Sequence, residues 1–446
     1  TSMIMERSDW CISRQRIWGV PIPIFFCKDC GKPLVNERTI QIVSQLFRER
    51  GSNAWFELDA SEILPDDIKC ECGCGSFDKE TDTMDVWFDS GSSHAAVLDD
   101  GKFPYLQFPA DVYLEGNDQY RGWFQSSMLT SIAIKGVAPY KTVITHGMIV
   151  DEERQKMSKS LGNGISPQEI LKDYGADILR LWVSSADYRQ DMRISKEMFK
   201  HLSQNYLKIR NTARYILGNL NGFDTAQLLP YEQLEELDQW ALMKLNELVT
   251  RVIAGYDAYE FHTVLHAIHN FCVVDMSNFY LDVIKDRLYC DEGHSRLSAQ
   301  TAMFHILDAL VRMVSPILCF TSDEIWKAMP HKEGDDLRNI LLNDMPAPNA
   351  AYAFDDAKQQ KWNRLLSLRD EVNRALEAAR SQKAIGKPLE ACVTVEFGED
   401  AFRYFSGNFT EEALADLCIV SKLHLVSGEG LSESAENRDG AKVTVA

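Results

Sequence analysis

From about Ser195 to about Lys383 apolar residues recur at helical spacing with almost no strand signal, and this run limits the possible folds more than any other feature. Ala241, Leu245, Leu248 and Val252 lie at i, i+4, i+7 and i+11, one face of a helix. Similar stretches cover 196–219, 261–286, 296–319 and 356–383, separated by Gly-, Pro- and acid-rich breaks such as Gly222–Pro230 and Pro330–Pro348. Helices that must each bury one stripe predict a helical bundle. From Ala391 short alternating runs appear (Val393–Phe397, Ile419–Val426 and Val443–Val445) around a helix near Glu411–Leu417, the pattern of a small α/β piece.

Ahead of the bundle, from Trp10 to about Asp187, β-rich runs mix with helices. Residues 111–115 read as a buried strand, 122–135 as a helix and 141–149 as a second strand. Strand, helix, strand is a parallel-sheet unit, whose ligands sit beyond the carboxyl ends of the strands. Glu115 to Gln119 and His146 to Gly147 occupy such positions. A hydrophilic loop, Asp151–Gly164, follows, then a helix announced by Ser166 as N-cap and Pro167 in its first turn. Ile170, Tyr174, Ile178 and Trp182 would give that helix one apolar stripe.

Eleven cysteines in 446 residues are too sparse for a disulfide scaffold, and no secretory pattern opens the chain, so reduced thiols are expected. Cys27 and Cys30 form C-x-x-C; Cys70, Cys72 and Cys74 form C-x-C-x-C. Gly31, Gly73 and Gly75 supply the tight turns that let sulfurs converge on one ion. Two such knuckles predict a tetrahedral zinc site on Cys27, Cys30, Cys70 and Cys72, with Cys74 able to replace one of the last two. The scattered Cys11, Cys272, Cys290, Cys319, Cys392 and Cys418 read as small apolar groups. The longest apolar runs, such as Val311–Phe320, fall short of the roughly 18 to 20 residues of a membrane-spanning helix, so a soluble, cytoplasmic protein is expected. The net charge of −19 argues against nonspecific polyanion binding but leaves room for one local basic face.

Lys156-Met-Ser-Lys-Ser160, flanked by Gly162 and Gly164, offers two lysines and two hydroxyls to a polyphosphate. It has the form of the KMSKS motif of class I aminoacyl-tRNA synthetases. Three further segments (Asp9–Pro23, Asp82–His94 and Tyr113–Phe124) together resemble the isoleucyl-tRNA synthetases, over essentially the whole chain. Valine and leucine enzymes share the loop and are the alternative, differing around the Asp-Ser-Gly-Ser and Glu-Gly-x-Asp-Gln segments. The resemblance implies ATP-dependent activation of isoleucine to isoleucyl-adenylate, with Mg²⁺, then transfer to tRNA(Ile), by a monomer. Lys159, assisted by Lys156, would stabilise the charge that builds on pyrophosphate. Glu115, Gly116, Asp118, Gln119, His146 and Met148 would contact ATP or the adenylate, and Trp87 and Trp123 would wall the isoleucine pocket. Arg14 and Arg16 read equally as phosphate contacts or structural ion pairs, and His94 as a surface histidine. Asn117 stands where serine is common in the family and Tyr120 where histidine is.

The organisation expected from the resemblance is the second half of a Rossmann-like catalytic domain over 1–195, with a zinc-bearing insertion at about 24–82 and the lysine loop at 156–160. An α-helical anticodon-binding domain would follow over 196–385 and a truncated small α/β domain over 386–446. Lys196, Lys200, Lys208, Arg210 and Arg214 open the bundle with a candidate tRNA-binding face. An H-x-G-H element and the long editing insertion of the family do not occur in the sequence, so these residues are expected to be inactive or weakly active alone. The alternative from another class is a tRNA-binding module without catalysis.

Overall fold

The computed structural model describes residues 2–6, 8–99, 101–157, 161–428 and 439–446, with Ser2 and Met3 as backbone alone. The chain divides into two compact units, Thr1–Met148 with Arg189–Asp191, and Ile149–Tyr188 with Met192–Ala446.

In the first unit β1 (Phe25–Cys27) is the centre of a small antiparallel sheet, with β2 (Pro33–Leu34) on one side and β3 (Phe77–Lys79) on the other. Between β2 and β3 runs α1 (Glu37–Arg50), started by a capping box in which Asn36 and Thr39 satisfy each other's backbone N–H groups. Phe25, Val43, Trp55, Ile63, Ile68 and Phe77 form its core, together with Cys27 and Cys70. The rest of the unit carries the predicted strand, helix and strand: β4 (Ala110–Gly116), α2 (Trp123–Lys135) and β5 (Tyr140–His146). β4 and β5 are parallel, with Glu115 opposite Thr145 and Gly116 opposite His146. Gly136 ends α2 in the left-handed conformation, φ 74°, where a side chain is disfavoured.

In the second unit the helix announced by Ser166 forms, and Ser166 Oγ accepts the Glu169 N–H. It does not run on to Trp182 as its apolar stripe suggested. Gly175, at φ 83°, divides it into α3 (Pro167–Tyr174) and α4 (Ala176–Ser185). Ile170, Ile178, Leu181 and Trp182 still share one core with Phe199, Leu202 and the rest of the bundle. The helices just before residue 195 thus pack on the bundle. Asp177 strengthens that attachment by accepting hydrogen bonds from the N–H groups of Phe320 (3.3 Å) and Thr321 (2.8 Å), at the start of a later helix.

The bundle proper comprises α5 (Lys196–Asn219), α6 (Glu236–Asp257), α7 (Phe261–Asn270), α8 (His294–Val314), α9 (Cys319–Ala328) and α10 (Asp356–Ser381). After α7 the helix continues with widened π-type turns through Phe271–Tyr280. Asp238 on α6 is wholly buried, and it accepts from Arg287 Nη2 (2.5 Å), Tyr280 Oη (2.7 Å) and Ser298 Oγ (2.5 Å). Beyond α10 come β6 (Cys392–Phe397), α11 (Glu399–Asn408), α12 (Glu411–Cys418), β7 (Lys422–Ser427) and β8 (Lys442–Val445). β6 is central, parallel to β7 and antiparallel to β8. The strand expected from Ile419 begins at Lys422, because Ile419 closes α12 in the left-handed region. Among the described residues no helix is long and apolar enough to cross a membrane.

Candidate functional site

The parallel register of β4 and β5 brings two of the expected ligand-contacting segments side by side. A Cβ on Gly116 would lie 3.6 Å from His146 Cε1 and 3.8 Å from Met148 Cε, and only 2.6 Å from Asp118 Oδ1. The Asp118 carboxylate thus folds over Gly116 and would have to swing away to admit a side chain there. Glu115, the preceding residue, is exposed and has no hydrogen-bond or ion-pair partner among the described residues. Asp111, at the other end of the strand, is by contrast tied to Lys141 at 2.8 Å. His146 Nδ1 lies 2.9 Å from the Gly147 carbonyl, and the Met148 N–H donates to Asp191 Oδ1 at 2.8 Å. Gly147 has no room for a side chain, since a Cβ there would stand 2.4 Å from the Gln190 backbone.

Gln119 is committed structurally. Its Oε1 accepts the Trp123 N–H at 3.0 Å, capping α2, and its Nε2 donates to Asp118 at 3.2 Å. Trp123 is half-buried, stacked on Tyr113 at 4.2 Å, with its indole N–H on the Ser90 carbonyl at 2.9 Å. Trp87 is 43% exposed, and its Cη2 would stand 3.0 Å from a Cβ on Gly122. Trp87 and Gln119 therefore meet at Gly122, while Trp123 is fixed by Tyr113 and the Ser90 carbonyl.

Asp85 was not singled out by the sequence reading, although an Asp directly before an apolar run is an N-cap signal. It is 5% exposed and accepts from the Trp87 N–H (3.1 Å), Trp10 Nε1 (2.9 Å) and Arg14 Nη2 (2.6 Å). Burial works to raise its pKa, but these donors and the Arg14 charge outweigh it and hold the carboxyl below its usual range. Arg14 is thereby a structural ion-pair partner, while Arg16 is exposed. His94 is not a surface residue: it is 1% exposed, 3.2 Å from Thr130 Oγ1, and burial lowers its pKa. Its alternation with small residues, Ser93 and Ala95, gave no apolar stripe from which burial was readable.

The four expected cysteines converge. Cys27 Sγ is 3.5 Å from Cys72 Sγ, Cys30 Sγ is 3.5 Å from Cys70 Sγ, and all four sulfurs lie within 4.8 Å of one another. A zinc ion with Zn–S bonds of about 2.3 Å needs sulfurs spaced about 3.8 Å apart, so the donor set and its size are compatible with zinc. The Cys30 backbone N–H, pointing at the Cys27 sulfur, lowers that thiol to about 6, which favours one thiolate in the cluster. The Cys74 N–H acts likewise on Cys72, but the neighbouring Cys27 and Cys30 sulfurs push it up to about 12. Cys74 lies outside the four, its sulfur receiving the Ser76 N–H at 3.3 Å.

In the lysine loop, Lys156 is exposed and its backbone bridges Val150, whereas Lys159 and the two flanking serines lie outside the described residues. The base of the loop is cinched by Asp151, which accepts from Asn163 Nδ2 and the Gln155 N–H, both at 2.7 Å. At about 100° per residue, Lys196, Lys200, Arg210 and Arg214 fall within about 80° of one another on α5, with Lys208 off to one side. Lys196, Lys200, Lys208 and Arg214 are exposed and Arg210 half-buried. Only Lys200 has an ion-pair partner among the described residues, Glu197 at 3.7 Å.

Residues 1–195 match the family described as tRNA synthetases class I (I, L, M and V), and residues 238–395 match the anticodon-binding domain of tRNA ligase. The chain belongs to the class I tRNA synthetases. Within that class it is similar to isoleucine–tRNA ligases. Identity is 54% over 428 residues with the one from Caldanaerobacter subterraneus subsp. tengcongensis, covering 95% of this chain and 45% of that protein. With the one from Thermoanaerobacter sp. (strain X514) it is 53% at the same coverage. With that of Caldicellulosiruptor bescii it is 49% over 447 residues, covering 99% and 48%. The chain thus spans about half the length of the curated relatives it matches. The fold is similar to that in the LeuRS–tRNA–LeuAMS ternary complex from Agrobacterium radiobacter K84. There the TM-score is 0.54 at 20% identity, over 78% of this chain and 43% of the other.

Proposed function

We propose that the chain works in ATP-dependent ligation of isoleucine to tRNA(Ile). The observation that carries this reading is the paired strand end. The unpartnered Glu115 carboxylate, the side-chain-free Gly116 and His146 stand together at the carboxyl ends of two parallel strands, where such sheets take ligands. In this reading Glu115, Gly116, Asp118, Gln119, His146 and Met148 contact ATP or the adenylate. Trp87 and Trp123 line the isoleucine pocket, Trp87 by its exposed ring. Lys156 and Lys159 meet the phosphates with Mg²⁺, neutralising charge on the departing pyrophosphate. Residues 1–195 serve as the catalytic part, 196–385 as the anticodon-binding part and 386–446 as a small α/β appendage. Cys27, Cys30, Cys70 and Cys72 hold a structural zinc ion that ties the first-unit insertion together. The protein acts as a cytoplasmic monomer.

A second reading, a tRNA-binding module, is favoured by the face of Lys196, Lys200, Arg210 and Arg214 on α5. With a net charge of −19 the remaining surface repels phosphate, so RNA contact would be confined to such a face. Titration of tRNA(Ile) at rising salt tests it. Affinity is expected to fall steeply with salt and to fall again when Lys196 and Arg214 are both changed to Ala; salt-insensitive binding would refute the face. Isoleucine-dependent ATP/pyrophosphate exchange separates the two readings. Exchange that Glu115→Ala abolishes supports catalysis, while tight tRNA binding with no exchange supports the module.

A further inference from the structure

The second knuckle carries one sulfur more than a tetrahedral ion takes, and the surplus sulfur has a defined place. Cys74 is half-buried beside the first knuckle, two residues before Ser76, whose carbonyl accepts the Lys28 N–H at 3.0 Å. Phe77, next along, is in register with Cys27. Cys27 is in turn the sulfur that Cys72 faces at 3.5 Å. The Cys74 sulfur meets the Ser76 N–H at 3.3 Å and the Ser76 carbonyl at 3.5 Å, and neither contact is to a ligand of the cluster. Between Cys72 and Cys74 stands Gly73 at φ +92°, and a Cβ there would meet nothing within 4 Å, so no neighbouring side chain packs against this point of the turn. Cys72 is exposed at this turn, whereas Cys70 is 9% exposed and packs in the core with Phe25 and Phe77.

We propose that Cys74 is a reserve metal ligand for the position of Cys72: when the Cys72 sulfur is lost, the turn pivots at Gly73 and Cys74 restores a four-sulfur site. The inference rests on the zinc reading given above. It assigns the fifth cysteine a role for the exposed ligand and none for the buried one. Cys70 is fixed in the core by its side chain, and its N–H holds the Cys74 carbonyl at 2.8 Å, so Cys74 cannot reach Cys70's place without undoing the turn.

The test loads the purified chain with Co²⁺ in place of zinc and reads the near-ultraviolet sulfur-to-cobalt absorption, which scales with the number of thiolate ligands. The parent chain, Cys74→Ser and Cys72→Ser are expected to give equal intensity. Cys70→Ser and the double variant Cys72→Ser/Cys74→Ser are expected to fall to about three-quarters, four sulfurs having become three. Alkylation of the zinc-loaded protein followed by peptide mass spectrometry gives an independent readout. Cys74 is expected to be modified in the parent chain and protected in Cys72→Ser. A Cys72→Ser protein that loses the metal, or that matches the double variant while Cys74 stays reactive, overturns the reserve role. Failure of the parent chain to bind either metal overturns the zinc reading itself, a different and recognisable outcome.

Discussion

Replacing Asp85 by Ala removes one carboxylate from three donors and should loosen the helix that carries Trp87. That helix, Val86–Gly91, begins at Asp85, whose Oδ1 takes the Trp87 N–H at 3.1 Å. Losing an N-cap of this type costs about 1 kcal/mol. The Trp10 indole N–H donates to a charged, buried oxygen, a bond that contributes about 1.5 kcal/mol. The Arg14 ion pair is closer, at 2.6 Å, but the Arg14 side chain is 37% exposed, so screening reduces its share to about 0.5 to 1 kcal/mol. The sum is about 3 kcal/mol, or about a 150-fold rise in the opening constant.

Hydrogen-exchange mass spectrometry on peptides covering Val86–Ser92 reads this directly, because exchange in the folded state follows local opening. Asp85→Asn separates the contributions. Its carbonyl can still cap the helix, but its amide meets the Trp10 and Arg14 donors, so about 2 kcal/mol should be lost and exchange should rise about 30-fold. The carboxyl is held below its ordinary range, so its contribution is complete above the unfolded value of about 3.9 and fades as the pH falls through the lower folded value. A rise of less than threefold in Asp85→Ala, or an Asn variant indistinguishable from the parent, would show that the carboxylate does not anchor Trp87.

Two further perturbations probe the bundle. Asp238→Ala leaves Arg287 without its closest, fully buried partner and should destabilise the second unit by about 3 to 5 kcal/mol in urea titrations; a loss under about 1 kcal/mol would contradict the network. His305 is held down to about 4 from 6.5, first by burial and then by the Lys332 charge. The unfolded chain therefore takes up a proton between pH 6.5 and 4 that the folded chain refuses, and stability should fall by about 3 kcal/mol across that window. In His305→Gln that part of the pH dependence should disappear; identical slopes in parent and variant would refute it.

Local patterns made much of this arrangement readable. The strand, helix and strand over 110–146 follow from apolar runs bounded by turn residues, and the cysteine pairs follow from their spacing. The spacing points to Cys27, Cys30, Cys70 and Cys72 but leaves Cys74 able to replace one of the last two, and only the convergence of the four sulfurs sets Cys74 aside. The break at Gly175 was hidden for the opposite reason. The stripe Ile170, Tyr174, Ile178, Trp182 stays in phase across it, so periodicity reports one helix where a positive φ makes two.

Charge placement divides in the same way. Asp238 looks like one more acid in Glu235-Glu-Leu-Asp238, yet at about 100° per residue it falls on the stripe of Ala241, Leu245, Leu248 and Val252. A charge on an apolar stripe must be paired to stay folded, which is a signal the sequence contains; that the pair is Arg287, 49 residues on, is not. Glu115 is the converse case. It ends a strand whose apolar residues predict burial, but it is exposed and unpartnered among the described residues. Asp85, Asp238 and Asp177 spend their oxygens on protein donors and cannot also bind a ligand without losing them. Glu115 spends none, and in the proposed reading that difference in commitment leaves its carboxylate free to meet a ligand.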